Sequence, residues 1–124
     1  MKNVLIAIAL LLAPALCLAE AGDTRVVEVW DCTLNDGKTA DQVAAHNAKW
    51  LAFVRQANPD INSYGMQRIV GSGQPFMFAD VYPNLAIWGA AKSLLDSDEG
   101  RALEQGFNEL LECSSNRLYN STQH

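Results

Sequence analysis

The sequence predicts an α+β domain of order β-α-β-β-α-β, a four-stranded antiparallel sheet with helices on one face. Three observations predict it. Segments at 25–34, 61–70 and 76–82 read as strands, the first and third rich in β-branched or aromatic residues. Two longer segments, from Thr39 and from Leu85, carry apolar residues at helical spacing behind cap residues. A short stretch from Cys113 to Tyr119 then supplies a fourth strand. With 124 residues, 49% apolar and 19% charged, the chain has the balance of one folded domain and not of a disordered or collagenous polymer.

The N-terminus precedes the domain. Lys2 is followed by an unbroken apolar run from Val4 to Ala13, then Pro14 and Cys17-Leu18-Ala19. This is a bacterial-type secretory signal, with cleavage expected after Ala19. Val4 to Ala19 falls short of the ~20 residues of a spanning helix, so a cleaved leader is expected rather than a membrane anchor. Leu16 before Cys17 argues against a lipoprotein anchor. The mature chain is expected in the periplasm or medium, free of the membrane. Cleavage takes the net charge from −5 to −6 and leaves two cysteines, Cys32 and Cys113. In an oxidising compartment that pair reads as one disulfide. It would close a loop of about 80 residues, worth ~4 kcal/mol in the chain-entropy account.

Residues 20–24 form a polar lead-in. On the first strand Val27, Val29 and Asp31 share one side, and Glu28, Trp30 and Cys32 the other. Asn35-Asp36-Gly37-Lys38 is turn chemistry. Thr39-Ala-Asp-Gln42 has the form of a capping box, opening a helix that Asn58-Pro59 stops. Its inward stripe is Val43, Asn47, Trp50, Leu51 and Val54. After the strand at 61–70, Gly71-Ser-Gly-Gln-Pro75 is a hairpin-type loop. The third strand alternates Phe76, Phe78, Asp80 and Tyr82 with Met77, Ala79 and Val81. Pro83-Asn84 opens a helical stretch that Asp96 to Glu99 interrupts, and Ser97 caps its renewal. Leu103, Phe107, Leu110 and Leu111 make the apolar stripe of that last part. Residues 25–119 form the domain, and 120–124 read as a polar tail. The sequon at Asn120-Ser121-Thr122 carries no weight behind a bacterial-type leader.

The order is the split β-α-β of ferredoxin-like domains, with sheet order 4-1-3-2. The last strand then lies antiparallel beside the first, which brings Cys32 and Cys113 to the same end of the sheet. The interrupted second helix at Leu95-Asp96-Ser97-Asp98-Glu99-Gly100-Arg101, after Tyr82-Pro83 and with Trp88 inside, resembles the dimeric α+β barrel superfamily over most of residues 25–119. That resemblance implies a homodimer in which two sheets pack face to face. The strand pattern agrees, because apolar residues occupy both faces and a soluble monomer rarely exposes a large apolar patch. The superfamily includes cofactorless monooxygenases, isomerases, haem-handling enzymes and members without known activity.

Several residues qualify for a site. Asn47 interrupts an apolar stripe, where an amide needs partners; it either faces a pocket or ties the helix to a strand. His46, beside it, is a candidate base or a surface histidine. Glu28 and Asp80 fall on the two central strands among aromatics. Burial would raise the pKa of either acid and make it a catalytic group. Alternatively, Arg68 or Arg117 lies across from one of them in a structural ion pair. Asn47, Trp50, Trp30, Tyr82 and Trp88 are the candidate ligand-binding set, with core packing as the alternative for the aromatics. No metal is assigned, since His46 stands alone, and no cofactor motif is present. The acidic charge argues against nucleic acid as a partner.

Three functions compete: an exported homodimer binding a small apolar or aromatic ligand; a cofactor-independent monooxygenase or isomerase; and a structural or partner-binding domain without a pocket. A cavity of ~300 Å³ lined by Asn47 and two aromatics would oppose the third. A strongly shifted acid inside it would favour the second over the first.

Overall fold

The computed structural model describes residues 23–73 and 75–123. The expected signal segment, 1–19, lies outside them. The elements are β1 (Thr24–Leu34), α1 (Ala40–Val54), β2 (Asn62–Gln67), β3 (Phe76–Tyr82), α2 (Leu85–Leu95), α3 (Asp98–Leu110) and β4 (Leu111–Thr122). The sheet order is β2-β3-β1-β4, all antiparallel, as the split β-α-β reading requires.

Cap chemistry sets the helix starts. Thr39 Oγ1 accepts from the Gln42 backbone N–H, and the Thr39 N–H donates to Gln42 Oε1, so two otherwise orphaned donors are satisfied reciprocally. Asn84 caps α2 and Ser97 caps α3. The break between α2 and α3 is a tight corner. A Cβ on Gly100 would stand 2.4 Å from Leu95 Cα, so the corner closes only over glycine.

Two strands differ in length from expectation. β2 ends at Gln67, and Ile69 and Val70 are 95% and 88% exposed beyond it. Gly71 and Gly73 adopt positive φ, and the hairpin opens once Arg68 N–H has bonded the Pro75 carbonyl. β4 runs through Thr122, which pairs with Thr24, although Asn120 and Ser121 are poor strand formers. Backbone pairing with the start of β1 extends it, overriding propensity.

All three helices pack with the same side of the sheet. From β1 and β3 that side receives Val26, Glu28, Cys32, Phe76, Phe78, Asp80 and Tyr82, all buried. The core divides in two. Val26, Trp50, Val54, Ile61, Tyr82 and Leu95 belong to one cluster; Cys32, Val43, Phe76, Phe78 and Leu111 form the other. Cys32 and Cys113 are bonded across β1 and β4. Beside them the ladder shifts register: Cys32 faces Cys113 but Asp31 faces Ser115, leaving Ser114 as a bulge. The other side of the sheet carries Val27, Val29, Met77, Ala79, Val81 and the exposed Tyr64, Met66 and Tyr119, with no helix over it.

Candidate functional site

A cavity of about 110 Å³ opens between the two core clusters. Trp30, Trp50, Phe78 and Phe107 give it aromatic walls, and Asn47, Asp80, Lys92 and Glu104 give it polar ones. The volume is of the order that holds a single ring, well under the ~300 Å³ of larger ligand sites. A groove between α1 and β2 meets it at Asn47 and Phe78.

Strand pairing builds its acidic floor. Glu28 and Asp80 stand directly opposite each other in the β1–β3 ladder, both pointing to the helices, 3% and 6% exposed. Two carboxylates at neighbouring buried positions repel unless their surroundings differ. They do differ. Glu28 is saturated with donors: Oε2 takes Lys92 Nζ at 2.7 Å, Trp88 Nε1 at 3.2 Å and Tyr82 Oη at 3.4 Å, while Oε1 takes Asn116 Nδ2 at 2.8 Å. Asp80 has one bonding partner among the described residues, the Ser63 hydroxyl at 2.5 Å. Burial pushes the Asp80 carboxyl up to about 7; the Ser63 hydrogen bond opposes the shift and Glu28 adds to it. Tyr82 is likewise pushed upward by burial and by both acids.

The amide of Asn47 reaches the same point. Its Nδ2 donates to Ser63 Oγ at 3.0 Å, so α1, β2 and β3 meet in a chain from Asn47 through Ser63 to Asp80. Asn47 therefore both ties helix to strand and faces the cavity. Trp50 is held by its Nε1 donating to Glu104 Oε1 at 3.0 Å.

The structure brings Trp30, Asn47, Trp50 and Asp80 together on the cavity. Glu28, Tyr82 and Trp88 lie behind it as one hydrogen-bonded group. His46 stands apart: its Nε2 is 2.7 Å from the Leu103 carbonyl and its ring lies edge-on to Phe107 and over Gly106. The expected arginine partners are corrected. Arg117 pairs with Asp31 at 2.6 Å on the helix-free side, because the register after the bulge sets it opposite Val29. Arg68 bonds the Gly73 carbonyl. The cation on Glu28 is Lys92. Sequence reading missed Lys92, Ser63 and Glu104, ordinary polar residues whose spacing carries no signal. Among the described residues no group of three or more His, Cys, Asp or Glu side chains is placed to hold a metal ion.

No protein-family model matches the chain, and no curated protein matches it in sequence. Solved structures do match in shape. SnoaB from Streptomyces nogalater, a cofactor-independent oxygenase, is similar over 84% of this chain and 97% of its own, with TM-score 0.57 and 11% identity. A protein of unknown function from Bacteroides thetaiotaomicron, described as a possible oxidoreductase, is similar over 82% and 100%, with TM-score 0.55 and 13% identity. A dimeric ferredoxin-like protein of unknown function from Thermobifida fusca is similar over 81% and 92%, with TM-score 0.50 and 14% identity. At these identities the likeness is one of fold: the α+β ferredoxin-like architecture.

Proposed function

We propose that the protein is an exported homodimer whose cavity binds a small aromatic or enolisable molecule and transfers a proton on it without a cofactor. The observation that carries this reading is Asp80: a buried carboxyl on the wall of an aromatic cavity, with no cation bonded to it among the described residues and a pKa near neutrality. A base is most effective when its pKa lies near the working pH. Ionised, Asp80 would take a proton from a C–H or O–H group of the ligand. Returned to another carbon, that proton completes an isomerisation. In an oxygenase the carbanion would instead give its electrons to dioxygen, and the likeness to SnoaB supports keeping that branch open at the level of fold.

The test is deuterium exchange. Phenylacetone in deuterated buffer should exchange its acidic hydrogens faster with the protein than without it. Asp80→Asn should cut the catalysed rate by about 10²-fold. An exchange rate equal to buffer would reject the chemistry, and a ligand retained in native mass spectrometry would then leave binding alone.

The dimer would use the helix-free face, where Met77, Ala79 and Val81 lie central between Val27 and Val29 on one side and Tyr64 and Met66 on the other. A two-fold sheet-to-sheet contact is self-complementary and would bury roughly 1,200 Å² or more. The Thermobifida neighbour, described as dimeric, supports it. The disulfide supports export, for which N-terminal sequencing should give Glu20.

A further inference from the structure

Lys92 is the only cation among the described residues lining the cavity. The other charged groups lining it are acidic, Asp80 from β3 and Glu104 from α3, and Glu28 from β1 lies behind it against Lys92. An ammonium has three N–H donors. Glu28 takes one at 2.7 Å, and the face of Trp30 lies 5.5 Å from Nζ. No other partner for Lys92 exists among the described residues, so donor capacity is left facing the cavity. Glu28 in turn is held by Asn116, Trp88 and Tyr82, which fixes where the ammonium sits. Glu28 is thus a positioning residue: four donors already occupy its two oxygens.

We infer that Lys92 holds the ligand oxygen that becomes negative when Asp80 removes a proton, which makes the ligand an enolisable carbonyl compound or a phenol. The step balances. As a C–H bond breaks, its proton forms an O–H bond on Asp80, its electron pair forms the C=C bond of an enolate and the carbonyl π pair passes to the ligand oxygen; in a phenol the O–H pair stays on the oxygen. One negative charge moves from Asp80 to an oxygen beside Lys92. A preorganised cation stabilises such developing charge more than water does, because it need not reorient. The wall of four aromatic rings suits the apolar remainder of the same molecule.

This inference rests on the reading of the cavity as a ligand site, and one probe separates the two. Para-nitrophenol fits the ligand class and reports its own ionisation by the colour of its phenolate. It should bind the wild-type protein saturably. In an Asp80→Asn background, where the probe is the group that titrates, Lys92→Met should raise the bound probe's pKa by about one pH unit or more, a tenfold change in its ionisation equilibrium. Lys92→Arg should keep it near the value with lysine. Should Lys92→Met leave Glu28 unpaired and unfold the chain, the pair Lys92→Met with Glu28→Gln gives the same comparison in a neutral setting. Equal bound pKa values with and without Lys92 would overturn the role of Lys92 alone. Absence of saturable binding to the wild type would overturn the ligand site itself, and this inference with it.

Discussion

β3 serves two surfaces with alternate residues. Phe76, Phe78, Asp80 and Tyr82 face the helices and are buried, while Met77, Ala79 and Val81 face away and are only half-covered. The helix side encloses two acids within aromatic walls. The other side keeps its ion pair, Asp31 with Arg117, where the guanidinium is 46% exposed. An acid in the first setting is costly unless held, and so it can be tuned; in the second, Asp31 is itself 15% exposed, but its cation reaches water and Ser115 also donates to it. Enclosure suits one face to the proposed chemistry, and lack of enclosure suits the other to the proposed association.

Four measurements test that contrast. Glu28→Ala should be the most damaging, costing about 3–5 kcal/mol in urea unfolding, because it strands a partly buried ammonium and three further donors. Asp31→Ala on the open side should cost less, about 2 kcal/mol, because the Arg117 and Ser115 it frees can turn to water. Equal costs would erase the distinction between the faces. Next, reducing Cys32–Cys113 should cost about 4 kcal/mol, read as a fall in melting temperature with reductant. A third measurement concerns pH. Asp80 titrates near 3.8 in the unfolded chain and about 7 in the folded one. Between those values the folded state holds the extra proton, so stability falls as pH rises from about 4 through 7. Asp80→Asn should remove that slope and gain on the order of 4 kcal/mol at pH 8. A pH-independent difference between the two proteins would show that Asp80 is not the titrating group. The last measurement concerns Met77→Glu, which should weaken the proposed dimer by about 2 kcal/mol, roughly thirtyfold, in sedimentation at micromolar protein. An unchanged sedimentation coefficient would mean the uncovered face is not the contact.

The frame of the molecule was legible because local chemistry and tertiary structure agree there. Alternation marked β1 and β3, and Thr39 with Gln42 marked the start of α1. The edges were less legible. Asn120 to Thr122 join β4 only because β1 offers unpaired backbone groups, and Ile69 and Val70 look like strand residues yet lie past the last β2–β3 pair. In the site, the aromatics, Asn47 and the two acids stood out as misfits in their own elements. Lys92, Ser63 and Glu104 did not, because a lysine or serine on a helix or strand becomes informative only once its distant partner is known.

Ser114 adds a consequence of arithmetic. The bulge makes β4 one residue longer than the stretch of β1 it pairs with. Were Ser114 paired opposite Asp31 instead of bulged, Arg117 would fall opposite Glu28 and Asn116 opposite Val29. Every side chain from Ser115 onward would change sides. Glu28 would lose its Asn116 donor and face a guanidinium, and Leu118 would move to the uncovered side beside Val27. The polarity of both faces along this edge thus depends on Ser114 standing outside the ladder. Exchanging Ser114 for another small residue should leave the melting curve nearly untouched; deleting it should close the bulge and keep every pair from Ser115 onward in phase.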